Sequence, residues 1–148
     1  MKKLLPPILF LLFVILMAVS CWLQGSPHHV PENYHLLTLP VVIAGLILAF
    51  SGSRLFRKKG TNIMTFGEPD LLVTEGVFKW SRNPMYLGFV TSLFALAFLM
   101  GGAYSSLALA VVFLLITDRW YIAFEEKAMR QKFGAEYDAY CQKVRRWI

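Results

Sequence analysis

Long apolar runs separated by short polar stretches dominate the chain, and the runs have the length of helices rather than strands. The first, Pro7 to Leu23, is about 17 residues long and can cross a hydrocarbon core as a helix. Pro6 and Pro7 stand where a helix start tolerates proline. A second run begins at Leu36 and ends in the basic cluster Arg54, Arg57, Lys58 and Lys59; Pro40 inside it predicts a kink or a local opening. Residues 51–81 turn polar, punctuated by Gly60, Gly67, Pro69 and Gly76, and predict the main soluble loop, with only a short extended or irregular segment over Leu71 to Phe78. Apolar character resumes from Pro84 to Met100, breaks at Gly101 and Gly102, and returns from Tyr104 to Phe124, which predicts a tight helical hairpin turning on the two glycines.

The expected fold is therefore all-α, an integral membrane bundle of about four transmembrane helices with a C-terminal helical hairpin and a cytoplasmic amphipathic tail. The spans are expected near residues 7–23, 36–54, 84–100 and 104–124, with a loop over 55–83 and a tail over 125–148, all in one domain. Composition agrees: 57% of residues are hydrophobic and the mean hydropathy is +0.54, too apolar for an ordinary soluble domain.

Charge adds an orientation. Fifteen Lys and Arg against nine Asp and Glu give a formal charge of +6. With the N-terminus inside, the segments 24–35 and Gly101-Gly102 fall outside, and every basic residue falls inside or at that edge. Such a bias predicts cytoplasmic N- and C-termini. Basic flanks without an organellar transit pattern point to a bacterial inner membrane. The positive charge flanks apolar runs rather than a nucleic-acid-binding motif, so anionic lipid headgroups are its expected partners and nucleic acid is not. Cys21 and Cys141 fall on opposite sides and predict no disulfide. Ala18-Val19-Ser20-Cys21 loosely resembles a lipoprotein signal, but cleavage there would leave the next loop without an anchor. Trp22, Trp80, Trp120 and Trp147 stand near span ends, as interfacial indoles do. His28, His29 and His35 lie in the outer loop without cysteines, and no metal site is expected.

Several charges sit where a span should carry none. Asp118 and Arg119 interrupt the fourth run, and Glu125 and Glu126 follow on the same helix, so they are expected to face protein or a wet cavity, or else to mark its interfacial end. Folding the hairpin about Gly101-Gly102 brings Arg82 level with about Tyr121 and within roughly 6 Å of the height of Glu125, at about 1.5 Å rise per residue. Arg82-Asn83-Pro84 opens the third span, where Asn83 can cap, Pro84 suits the first position, and the free amides with Arg82 form an anion site. Ile122, Glu126, Met129 and Phe133 share one helical face, so a structural reading makes Glu126 the buried partner of Arg119 or Arg130. An anion site facing carboxylates suits a zwitterionic ligand with extra positive charge. S-adenosylmethionine has that character, with Arg82 or the helix start for its carboxylate, Glu125 or Glu126 for its positive groups, and Tyr86 against its adenine or sugar.

The ordered set Val73-Thr74-Glu75-Gly76-Val77-Phe78, Arg82-Asn83-Pro84-Met85-Tyr86-Leu87-Gly88, Glu125-Glu126, Phe133-Gly134-Ala135-Glu136-Tyr137 and Tyr140 resembles the isoprenylcysteine carboxyl methyltransferase and phospholipid methyltransferase superfamily. The likeness covers about Leu72 to Trp147. It implies an enzyme that binds S-adenosylmethionine at the cytoplasmic edge through Gly76, Phe78, Arg82, Asn83, Pro84, Tyr86, Glu125 and Glu126, with Tyr137 helping to close the site. It also implies Glu125 and Glu126 as catalytic candidates. The histidine frequent after the arginine in eukaryotic members is Asn83 here. The arginine often found one turn before the glutamates is replaced by Tyr121, with Arg119 nearby as the third catalytic candidate. The implied reaction is methyl transfer to a lipophilic acceptor, a prenylcysteine-like carboxylate, a lipid headgroup or a small thiol. The competing reading is a non-catalytic membrane subunit or scaffold that keeps the fold. No oligomeric state can be read from the small residues Ala44-Gly45 or Ala95-Ala97, which serve intramolecular packing equally well.

Overall fold

The computed structural model describes residues 5–25, 29–31, 36–60 and 70–148. Among them the regular structure is all helical. α1 spans Pro6–Leu23 and α2 spans Leu39–Lys58, after a 3-10 turn at Leu36–Thr38. α3 spans Pro84–Leu99. α4, Tyr104–Ile116, runs through a π-helical turn at Thr117–Ile122 into α5, Ala123–Phe133, and α6 spans Ala135–Lys143.

Three stretches are long and apolar enough to cross a membrane: Pro6–Leu23, Leu36–Lys58 and the continuous Tyr104–Phe133. α3 has 16 residues, fewer than the ~20 of an ordinary span. It is the interior helix of the bundle, packed against α1, α2 and α4. Outward-facing Ile15, Val19, Ile47, Phe50, Val112 and Leu115 are exposed, whereas Phe13, Met17, Leu93, Ala97 and Phe113 are buried. An apolar outside around an apolar core is what lipid as a solvent demands.

Two expectations about α2 change. Pro40 stands in its first turn, so the proline starts the helix instead of kinking it, as its missing N–H allows. The helix also carries on through the basic cluster to Lys58, beyond the expected loop boundary at residue 55. Its contact with α3 is close. A methyl group added at Gly88 would lie 2.7 Å from Ala49 N and clash with the Gly45 carbonyl, and one at Gly45 would lie 2.7 Å from Gly88 O. Ser92 Oγ donates to Val42 O across the same seam at 3.1 Å. Small residues thus serve a seam within the chain.

The diglycine turn forms as expected, with φ of 96° at Gly101 and 71° at Gly102, values open mainly to glycine. The amides of His29 and Val30 donate to Gly101 O, so residues 29–31 and the hairpin turn share one end of the bundle. Described basic residues gather at the other end. There, Phe56 packs edge-on to Phe78, and the expected irregular segment runs over residues 71–75 into a 3-10 turn at Gly76–Lys79. Lys2, Lys3, His28, Glu32, His35, Gly67 and Pro69 lie outside the described residues. His29 stacks on Tyr104 at 4.5 Å.

Gly134, at φ 48°, ends α5 and turns the chain into α6. Tyr137, Tyr140 and Val144 form an apolar stripe on the inner side of this corner. It packs into a small second core with Leu72, Met129 and Phe133, because the α5–α6 corner folds the tail back over the loop that precedes α3. Beyond α6 the chain reaches the start of α3, where the Arg145 and Arg146 carbonyls meet Arg82 and Asn83.

Candidate functional site

The start of α3 supplies one wall. Pro84 occupies its first turn and Asn83 the capping position, but the Asn83 side chain does not cap. Its Nδ2 donates instead to the Arg146 carbonyl at 3.1 Å, while its backbone N–H donates to Ser81 Oγ. The Arg82 N–H donates to Arg145 O at 3.1 Å. The terminal segment therefore occupies polar positions that the sequence offers to an anion.

The α4–α5 helix supplies the facing wall, and its π-helical turn lies opposite the start of α3. π-Helical turns insert extra backbone into a helix and are frequent at functional sites. From this turn Asp118 faces inward and Arg119 outward: the Arg119 side chain is 82% exposed and lies 3.5 Å from the neighbouring Asp118. The structure does not bring Arg119 to the cluster, since one residue along a helix is a rotation of about 100°. Arg146 is the second arginine of the cluster.

Glu126 is buried and held by two guanidinium groups. Arg82 Nη2 lies 3.0 Å from its Oε1, and the Arg82 side chain is itself only 12% exposed. Arg146 approaches side-on, Nη2 to Oε2 at 2.5 Å and Nε to Oε1 at 3.2 Å. Arg146 Nη1 also reaches Asp118 Oδ1 at 3.2 Å, and the Trp147 indole N–H donates to the same oxygen at 3.0 Å. Glu126 is thus buried and ion-paired, with partners different from the Arg119 and Arg130 that the sequence offered. Arg130 pairs instead with Asp138 at 2.9 Å. Trp147 packs against the main core, unlike the exposed Trp22, Trp80 and Trp120.

Glu125 has a different environment. Its Oε1 accepts the Tyr86 hydroxyl at 2.7 Å, and among the described residues no cation pairs with it. Tyr86 is buried, with the Tyr121 ring 6.3 Å away. One buried side-chain donor lacks an acceptor among the described residues: Arg82 Nε. An orphaned donor on a buried guanidinium is costly and marks a place where an acceptor belongs.

Of the remaining expected site residues, Tyr137 lies near Glu126, whereas Gly76 and Phe78 lie against α2. Gly76, at φ 58°, turns the chain below Leu55. Phe78 is buried against Phe56, and its carbonyl accepts the Tyr140 hydroxyl at 2.7 Å. Tyr137 lies in the second core beneath the Arg130 guanidinium, and burial together with the nearby Glu126 charge raises its phenol above the usual range. An open groove of about 580 Å³ runs along Glu126, Lys127, Arg130, Asp138 and Arg146, on the outer side of the ion pairs.

A family model for phospholipid methyltransferases matches residues 33–136, which is most of the chain and includes both walls of the cluster. The chain belongs to the phospholipid methyltransferase family. Relatives within this superfamily of membrane methyltransferases include a probable protein-S-isoprenylcysteine O-methyltransferase of Oryza sativa subsp. indica, 36% identical over 76 residues. Protein-S-isoprenylcysteine O-methyltransferase B of Arabidopsis thaliana is 36% identical over 74 residues. Each alignment covers 49% of this chain but only 38% and 36% of the plant proteins. An uncharacterized protein of Haemophilus influenzae is 39% identical over 64 residues, all of its length and 43% of this chain. No solved structure matches significantly. The family-model match ends at residue 136, short of Arg146 and Trp147, and hydrophobic pattern did not place either residue in the cluster. Their one sequence signal was a basic-aromatic cluster at the end of the tail.

Proposed function

We propose that this protein transfers the methyl group of S-adenosylmethionine to a lipophilic acceptor at the cytoplasmic edge of a membrane. The acceptor class is a prenylcysteine-like carboxylate, a lipid headgroup or a small membrane-partitioning thiol. In this reading the chain is one membrane domain of a bacterial inner membrane, with both termini cytoplasmic.

The observation that carries the reading is a buried donor without an acceptor, Arg82 Nε, at the start of α3, beside the Tyr86–Glu125 hydrogen bond that joins α3 to the facing helix. The donor set fits the cofactor: a guanidinium N–H for its carboxylate and a carboxylate for its ammonium. When bound, S-adenosylmethionine supplies an electrophilic methyl group on a sulfonium. Arg82 and Glu125 hold the amino-acid end, and Tyr86 orients Glu125 through its hydroxyl. Glu126, already engaged by Arg82 and Arg146, fixes the wall rather than the ligand. Asn83, Pro84, Gly76, Phe78 and Tyr137 shape the surrounding backbone and packing. Displacement at a methyl group gains mainly from alignment and exclusion of water, which a cleft at the bilayer edge provides. A carboxylate or thiolate acceptor needs no general base, whereas an amine acceptor needs one, and Glu125 is then the residue in place.

Calorimetry with S-adenosylhomocysteine on the detergent-purified protein tests the reading, beside Arg82→Lys and Glu125→Gln variants whose folding is checked by thermal unfolding. The parent is expected to bind, and each variant to bind at least about tenfold more weakly, the loss of one charge-assisted hydrogen bond. A well-folded parent that binds nothing at millimolar ligand would sink the methyltransferase reading and leave a scaffold that retains the fold.

A further inference from the structure

The terminal segment past α6 is tied into the cluster more firmly than a tail resting on a surface. Trp147 packs on the main core and donates to Asp118, the Arg145 and Arg146 carbonyls take the Arg82 N–H and the Asn83 side chain, and the Arg146 guanidinium bridges Glu126 and Asp118. This segment lies beyond residue 136, where the family-model match ends.

The side on which each arginine meets Glu126 has a chemical consequence. A guanidinium binds a carboxylate best through two parallel N–H···O contacts, and Nε with Nη2 form one such edge. Arg146 uses that edge on Glu126, spanning both oxygens. Arg82 offers the same edge but reaches only Oε1, through Nη2 at 3.0 Å, and its Nε is left without an acceptor. Were Arg146 absent, Glu126 Oε2 would lose its partner, and a small rotation of the carboxylate would let it take both Nη2 and Nε of Arg82. The buried pair would then satisfy itself, and Arg82 Nε would no longer be open to a ligand.

We propose that Arg146 is a positioning residue: by occupying the two-oxygen edge of Glu126, it keeps Arg82 Nε available to an incoming ligand carboxylate. The proposal rests on the donor-site reading above and deepens it. Asp118 and Trp147 anchor Arg146 in this role, and the two terminal carbonyls hold the Ser81–Asn83 segment so that Arg82 cannot swing away.

The test is calorimetric binding to the full-length protein in detergent, with two probes: S-adenosylhomocysteine, which carries the amino-acid carboxylate, and 5′-methylthioadenosine, which lacks it. Arg146→Gln is expected to weaken the first by about tenfold or more, the worth of a charge-assisted contact, and to leave the second within about twofold. Arg146→Lys, a point charge without the two-pronged edge, is expected to fall between and serves in its place if the glutamine variant does not fold. Adding Glu126→Gln to Arg146→Gln removes the second acceptor oxygen and is expected to recover most of the lost affinity. Equal loss of both probes, unchanged binding of both, or a double variant weaker than Arg146→Gln would overturn the proposal while the donor-site reading stands. A parent that binds neither probe overturns both.

Discussion

Glu125 and Glu126 are adjacent in sequence and about 100° apart around their helix, and that angle separates their surroundings. One meets a tyrosine hydroxyl, the other two guanidinium groups. The level match between Arg82 and the glutamates was legible from hairpin geometry, and so was the burial of Glu126, from the apolar face it shares with Ile122. Which arginine meets which carboxylate was not, because Arg119 and Arg146 are equally basic in the sequence and only the turn of the helix and the return of the tail distinguish them. Tyr140 gives a residue-scale prediction. Burial pushes its phenol up to about 12, partly offset by the Arg82 charge, and its hydroxyl donates to Phe78 O. A group whose folded pKa exceeds its unfolded value of about 10 stabilises the fold below that pH and loses the contribution as pH rises through the folded value. Thermal unfolding of the parent is therefore expected to show an extra loss of stability between about pH 10 and 12, and Tyr140→Phe is expected to lack that part of it. Identical pH profiles for the two proteins would contradict the assignment.

At the scale of elements, the hairpin and its turn followed from two glycines between apolar runs, and both take positive φ. Pro40 was read as an interior break because its run begins four residues earlier. The short 3-10 turn at Leu36–Thr38 moves the start of α2 to Leu39 and puts the proline in a first turn, where its missing N–H costs nothing. The π-helical turn carried no sequence signature. The close crossing of α2 and α3 depends on Gly45 and Gly88, each of which would press an added methyl onto the backbone of the other helix. Gly88→Ala is expected to destabilise the protein by about 1–3 kcal/mol, the usual cost of overpacking, because backbone cannot swing aside as a flexible side chain can. Thermal or denaturant unfolding in detergent measures this, and an unchanged midpoint would mean the helices separate without penalty.

For the molecule as a whole, the exposed apolar belt and the gathering of described basic residues at one end agree with a bundle in a bilayer, with the diglycine turn at the opposite end. The proposed orientation makes a labelling prediction. In intact cells, a membrane-impermeant maleimide is expected to modify Tyr104→Cys, 74% exposed beside the turn, and to leave Lys143→Cys unmodified until the cells are opened. The opposite pattern would invert the topology and place the candidate site outside the cell.

The sequence by itself determined the apolar helices, the hairpin and the family, because hydrophobic run length, turn glycines and short ordered motifs are local properties that a lipid solvent reads directly. It also brought Arg82, Tyr86 and the glutamates to one level. Only the tertiary structure decided that the terminal segment closes the cluster. The contacts that do so join residues 63 apart for Asn83 and Arg146, and 20 and 28 apart for Arg146 with Glu126 and Asp118. No local pattern encodes such pairings, since they exist only once the α5–α6 corner has turned the chain back on itself.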